Sequence, residues 1–325
     1  MTEMRARNST IVRPKMLRAP APVRAAFGTL ERLAPPLGAR WATRLWCTPP
    51  VPPAPVRRHD PRPRPGYRFT VPVTGGGTVV AEAWGSGPVT YLVHGWGGWR
   101  AQLGGFVAPL VNAGHRVVTL DMPGHGEAGP GRLGGRRTTL VEMAEAVAAV
   151  AGVTGPAHSI VAHSAGASAA ALAVRDGLPV QRLVFVSPMA DPVAYTGMFA
   201  QALAIGPRTY DRFMRRLADV VRRDLAEFDL PARAAEAGDQ NESSLPPLLV
   251  VHDREDRETP HADGRAIADS WPGATLVSTR GLGHRRLLTD AGVIGTIAEF
   301  LTAGAAVLTA DAAAPVRAAP LIGRA

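Results

Sequence analysis

The chain has 325 residues, a formal net charge of +9 and a single cysteine, Cys47. One cysteine excludes an intrachain disulfide and suits a reducing cytoplasm, where the protein is expected. No apolar run approaches the roughly 20 residues of a membrane span, and the first 20 residues lack the apolar segment of a secretory signal.

The charge lies at one end. Residues 1–66 hold 13 basic and 3 acidic residues, and the remainder is close to neutral. Lys15 is the only lysine, and no basic patch is interleaved with aromatics, so no nucleic-acid partner is expected. This basic, Pro- and Arg-rich extension reads as two short helices near 22–34 and 36–46, then a proline-rich linker over 48–65. In the second helix Leu37, Trp41 and Leu45 recur four apart and share a face. That face is expected to pack on the main domain, with contact between 36–46 and a membrane surface as the alternative.

From Tyr67 the pattern becomes regular. YRFTVPV and TVVAEAWG alternate as strands around Gly75, Gly76 and Gly77, which predicts a hairpin. VTYLV, HRVVTLD, SIVAH, RLVFV, PLLVV and ATLVS follow as strands, separated by helical stretches such as WRAQLGGFVAPLVNAG, TTLVEMAEAVAAVAG and ASAAALAVRDG. A last helix is predicted from His284 to Leu301. Strands alternating with helices imply an α/β fold, a mostly parallel eight-stranded sheet flanked by helices with an antiparallel pair at one edge. Residues 190–245 interrupt the alternation with helical sequence and read as a small cap inserted into a domain spanning 67–303. Residues 304–325 read as an Ala-rich flexible tail.

Open α/β sheets form their sites beyond the C-terminal ends of the strands. His94-Gly95-Trp96-Gly97-Gly98, Asp121-Met122-Pro123-Gly124-His125-Gly126, Ser164, the acidic run His252 to Glu258, and Gly281-Leu282-Gly283-His284 all fall there. A serine, acids and a histidine therefore meet at one edge, in the order Ser, Asp, His.

That order, with strand, turn and helix around the serine of IVAHSAGASAA, resembles the α/β-hydrolase family of serine esterases and lipases. HGWGG, DMPGHG, HDREDRETP and GLGHRRLL resemble its oxyanion, D-x-P-G-H-G, acid and histidine loops. Two positions depart from the pattern. Ala162 stands where the elbow has its first glycine, and Ala128 where a serine often follows the D-x-P-G-H-G turn. The resemblance implies a catalytic triad of Ser164, Asp256 and His284. Backbone N–H groups of Trp96 and Ala165 would form the oxyanion hole.

The residue types suit acyl transfer. A serine hydroxyl needs a base, the base needs a carboxylate to orient it, and the tetrahedral intermediate needs fixed N–H donors. Asp253, Glu255, Asp256 and Glu258 crowd one loop, and only the match to the family pattern selects Asp256. The other acids are expected to be solvated and paired with Arg254 and Arg257. His94 and His125 read as loop-structuring, His252 as support for the acid loop, and His163 as packing or a substrate contact. Arg285 and Arg286 read as helix-surface cations, with an anion-binding role as the alternative. No cofactor or metal is expected, since no two histidines have ligand spacing within one element. The segment Gly129–Gly134 matches G-x-G-x-x-G but joins no strand to a helix, so it reads as a mobile loop.

The expected function is hydrolysis of a carboxylic ester or related acyl bond through an acyl-enzyme on Ser164. The partner would be a small acyl substrate, apolar by the cap's Tyr195, Met198, Phe199, Tyr210, Phe213 and Met214. An acyltransferase with the same triad and a non-catalytic binding protein of the same fold are the alternatives.

Overall fold

The computed structural model describes residues 18–51, 61, 63–75, 77–240 and 245–303. The expectations for residues 1–17, for most of the proline-rich linker and for the tail after 303 lie outside these. Among the described residues no helix is long and apolar enough to cross a membrane.

Eight strands form one sheet: β1 (Tyr67–Pro72), β2 (Thr78–Trp84), β3 (Val89–Val93), β4 (Arg116–Asp121), β5 (Ala157–His163), β6 (Val180–Val186), β7 (Leu248–Asp253) and β8 (Thr275–Thr279). Their order is β1-β2-β4-β3-β5-β6-β7-β8. β2 runs antiparallel to both β1 and β4, and the remaining pairs are parallel. β3 and β7 are buried at every position, as parallel strands covered on both faces must be.

The central strands β3 to β7 each feed two cores. Tyr91, Ile160, Ala162, Phe185 and Val250 point to one face, under α4 (Leu140–Thr154), α5 (Ala165–Arg175) and α9 (His261–Ser270). Leu92, Val161, Val184 and Val251 point to the other, under α3 (Val107–Asn112) and α11 (Ala291–Thr302). This is the period-two alternation of a strand acting on two helical layers.

Between β6 and β7 lie α6 (Tyr195–Leu203), α7 (Pro207–Val221) and α8 (Leu230–Gln240). The two N-terminal helices, α1 (Ala21–Leu33) and α2 (Pro35–Trp46), share a third core with α6 and α7.

Four readings change. In α2 the buried face is Pro35, Gly38, Ala39, Ala42 and Thr43, while Leu37 is 54% exposed. Small residues win that face because α7 comes close: a Cβ on Gly38 would lie 2.8 Å from Thr209 Cγ2. Trp41 instead stacks on Phe27 at 4.4 Å. The stretch after β3 is a 3₁₀ segment, Arg100–Phe106, leading into the short α3 rather than one helix. There the chain passes close to Pro61 and Leu288 at its two glycines, 104 and 105. The last helix is two: α10 (Gly283–Arg286) and α11, which starts where Asp290 caps the Val293 N–H at 3.0 Å. Finally, the Gly129–Gly134 loop is tied down. The Arg132 N–H donates to Glu142 Oε1 at 2.5 Å, and Glu142 is buried at the start of α4.

Candidate active site

β5 delivers Ser164 into a sharp turn at φ 53° and ψ −127°, immediately before α5. A non-glycine residue there is strained by roughly 1–3 kcal/mol and must be held by its surroundings. It is pinned on both sides: its N–H donates to the Val186 carbonyl oxygen at 2.9 Å, and its own carbonyl oxygen accepts from the Ala167 N–H at 2.9 Å. The turn presses on the end of β3. A Cβ on Gly166 would lie 2.5 Å from the His94 carbonyl oxygen, so glycine is required at 166, whereas Ala162 fits fully buried in the strand.

His284 opens α10 and is buried. Its Nδ1–H donates to Asp256 Oδ2 at 2.8 Å. Asp256 also accepts the N–H groups of Glu258 (2.8 Å) and Thr259 (3.0 Å) on Oδ1. His252 Nε2 divides between the Thr259 carbonyl oxygen at 3.0 Å and Asp256 Oδ2 at 3.4 Å. Burial opposes ionisation of this carboxyl, but the hydrogen bonds from His252 and His284 outweigh it and hold Asp256 well below the usual carboxylate range.

Asp253 does something else. It accepts from the Glu255 N–H (2.9 Å), the Thr279 hydroxyl (2.6 Å) and the Leu282 N–H (3.0 Å). It is fully buried and ties the acid loop to the histidine loop, so it is not a solvated acid. Glu258 pairs with Arg285 at 3.3 Å, not with Arg254 or Arg257, and reaches within 3.9 Å of His284 Nε2. Arg286 donates to the main-chain oxygens of Leu282 and Gly281.

Among the described residues no hydrogen bond joins Ser164 Oγ to His284 Nε2. Both residues line one cavity of about 260 Å³, with Trp96, Gly97, His163 and Tyr195. Catalytic hydrogen bonds are often long in unliganded sites and tighten on substrate binding.

The two candidate oxyanion donors are uncommitted: neither the Trp96 nor the Ala165 N–H has an acceptor among the described residues. The loop carrying Trp96 is clamped by two histidines. His94 Nε2 accepts the Met122 N–H at 3.1 Å while its Nδ1–H donates to the Gly95 carbonyl oxygen at 2.8 Å. His125 Nε2 accepts the Gly97 N–H at 3.0 Å while its Nδ1–H donates to the Pro123 carbonyl oxygen at 3.1 Å. Each therefore needs its neutral form, and burial pushes both down, His125 to about 3. Asp121 anchors the facing loop by accepting the Arg100 N–H at 2.6 Å.

Two contributors escaped the sequence reading. Thr259 Oγ1 stands 3.1 Å from Asp256 Oδ2 and 3.1 Å from His284 Nδ1. Its signal was a hydroxyl three residues beyond the acid, a spacing that favours local side-chain bonds. The other is an apolar cavity of about 320 Å³ beside Ala165, sharing Trp96, Met189 and Tyr195 with the first and walled partly by Trp46 and Cys47. Of the six apolar cap residues, Tyr195 lines these cavities. Phe199, Tyr210, Phe213 and Met214 pack against the N-terminal helices instead.

The model of the alpha/beta hydrolase family matches residues 90–295, more than half of the chain. The chain belongs to this family. Among curated proteins the chain is similar to the dihydrolipoyllysine-residue acetyltransferase component of the acetoin cleaving system of Cupriavidus necator, 43% identical over 112 residues. That match covers 32% of this chain and 28% of the relative's length. Solved structures with the same fold include a hydrolase from Pseudomonas aeruginosa, at 22% identity and TM-score 0.54, covering 73% of this chain and 98% of that one. An esterase from Exiguobacterium antarcticum matches at 15% and 0.54, covering 72% and 99%. A protein described as an N-acyl homoserine lactone degrading enzyme matches at 20% and 0.54, covering 73% and 100%. At these identities the likeness carries the fold.

Proposed function

We propose that this hydrolase is a serine esterase that cleaves a carboxylic ester or related acyl bond through an acyl-enzyme on Ser164. The observation that carries the reading is the 2.8 Å bond from His284 Nδ1 to Asp256, on a histidine that shares a cavity with the strained Ser164.

In this mechanism Ser164 Oγ attacks the carbonyl carbon and His284 Nε2 takes its proton. Asp256 steadies the resulting imidazolium, and the N–H groups of Trp96 and Ala165 receive the oxyanion. Collapse of the intermediate breaks the acyl–oxygen bond, and His284 returns the proton to the departing alcohol. Water then repeats the sequence on the acyl-enzyme, releasing the acid and free Ser164. The apolar cavity beside Ala165 favours an apolar acyl group. A cytoplasmic location belongs to this reading and rests on the lone cysteine.

The partial likeness to an acetyltransferase component favours a second reading, in which the same acyl-enzyme passes its acyl group to an alcohol or thiol. A binding protein of the same fold without catalysis is the third. Fluorophosphonate labelling separates enzyme from binder: wild type is labelled and Ser164→Ala is not. Absence of label on wild type, or equal labelling of both, overturns the serine mechanism. Product analysis with added alcohol separates water from another acceptor.

A further inference from the structure

The family model begins at residue 90, so α1 and α2 lie outside it. Nevertheless the end of α2 reaches the candidate site. Trp46 and Cys47 line the apolar cavity of about 320 Å³ together with Ala165, the residue beside the nucleophile. We infer that the N-terminal helical pair is a built-in wall of the acyl pocket, and that the substrate's apolar acyl chain lies against Trp46 and Cys47. The inference rests on the serine-esterase reading for the origin of that chain.

Continuity carries it first. The apolar cavity shares Trp96, Met189 and Tyr195 with the cavity that holds Ser164 and His284. An acyl group bonded to Ser164 Oγ, with its oxygen toward the Trp96 and Ala165 N–H groups, has this apolar space beside Ala165. At roughly 30 Å³ per water-sized group, the volume holds about ten such groups, which fits a medium-length chain. Among the described residues, the hydroxyls on its wall are those of Thr138, Thr139 and Tyr195, and Tyr195 already donates to Asp263 Oδ2 at 2.7 Å.

The second support is how firmly the wall is held. Glu31 accepts the Arg208 and Thr209 N–H groups at 3.0 and 2.9 Å, so a side chain of α1 caps the first turn of α7. Ala19 donates its N–H to the Ala202 carbonyl oxygen at 3.0 Å, and Cys47 accepts the Thr138 N–H at 2.8 Å. The Trp46 ring meets Phe199 and Phe213 edge-on at 5.2 and 6.2 Å. Just beyond α2, Pro50 sits over Gly97 of the oxyanion loop. A wall attached at so many points selects by shape, because filling or emptying it changes the space without moving the catalytic groups.

The test is an acyl-chain series of p-nitrophenyl esters from acetate to dodecanoate on wild type, Cys47→Leu and Trp46→Ala, each checked for cooperative melting. Cys47→Leu is expected to lower the ratio of decanoate to acetate kcat/KM at least tenfold. Trp46→Ala is expected to move the optimum toward longer chains. If Trp46→Ala does not fold, Cys47→Leu and Cys47→Ala decide. Ratios within twofold of wild type in every folded variant overturn the inference.

Calorimetric titration of decanoate into Ser164→Ala, with and without Cys47→Leu, separates the pocket from the chemistry. Binding weakened tenfold by Cys47→Leu supports the wall even if wild type hydrolyses no ester, in which case only the esterase reading fails. No decanoate binding, or binding indifferent to Cys47→Leu, overturns the wall.

Discussion

His163 holds His284 by its main chain: the Nε2–H of His163 donates to the His284 carbonyl oxygen at 3.0 Å. The residue before the candidate nucleophile thus fixes where the candidate base enters α10. The two rings lie 4.6 Å apart. Burial and the neighbouring His284 push His163 well below the usual histidine range, so it stays neutral and keeps this donor tautomer. Removing the bond in His163→Ala is expected to cost about 1 kcal/mol in the placement of the base, a roughly fivefold loss of kcat. KM should change less, and His163→Gln, which retains an N–H donor, should recover part of the loss. Equal activity of His163→Ala and wild type would remove this positioning role.

The acid loop makes a sharp comparison. Asp256→Asn should lower kcat by about 10³–10⁴, because an amide cannot hold His284 in the required tautomer. Asp253→Asn should act on stability instead, by about 1–3 kcal/mol, through loss of the bonds to Thr279 and Leu282. Ester kinetics and urea unfolding of both variants check this. Collapse of kcat in Asp253→Asn with Asp256→Asn near wild type would reverse the two roles.

The neutral histidines predict acid sensitivity. His94, His125 and His163 all have folded values below the unfolded one, so the unfolded chain takes up protons first as pH falls. Their stabilisation is complete above about pH 6.5 and is lost on acidification, down to about 3 for His125. For His125 alone the loss by pH 5 is about 2 kcal/mol. Asp256, also held low, adds its own loss below about pH 4. Urea midpoints from pH 8 to pH 4.5 should fall with acidification, and His125→Gln should flatten that slope. A midpoint independent of pH in wild type would contradict the clamp.

Glu31 offers a stability test remote from the chemistry. Glu31→Ala removes the cap on the first turn of α7 and should lower unfolding stability by about 1 kcal/mol. Hydrogen bonds to Thr209 and Arg208 outweigh burial and lower the Glu31 carboxyl, so its contribution is present at neutral pH and fades below about pH 4.5. Thermal melts at pH 7 and pH 4 compare the two: a difference of equal size at both would exclude a charge-assisted cap.

Sequence alone determined the sheet. Eight apolar runs with helices between them allow few arrangements, because parallel strands demand right-handed helical crossovers and burial on both faces. It also brought Ser164, the acidic run and His284 to one edge, since strand ends are counted along the chain. It could not choose among the four carboxylates of 253–258. One turn separates Asp253 from Asp256, and only folding decides that the former bonds Leu282 while the latter bonds His284.

The N-terminal extension shows the other limit. Leu37, Trp41 and Leu45 are large apolar residues four apart in α2, and periodicity assigns them the buried face. Folding buries Gly38, Ala39 and Ala42 fully, because α7 approaches closer than a large side chain permits, while Trp41 and Leu45 are only partly buried against the same core and Leu37 is exposed. Periodicity records which residues share a face. How near a partner helix comes, and therefore that Trp46 and Cys47 reach a cavity beside Ala165, depends on segments about 120 residues apart in sequence meeting in space. Long-range packing of this kind leaves no local pattern, so only the tertiary structure decided it.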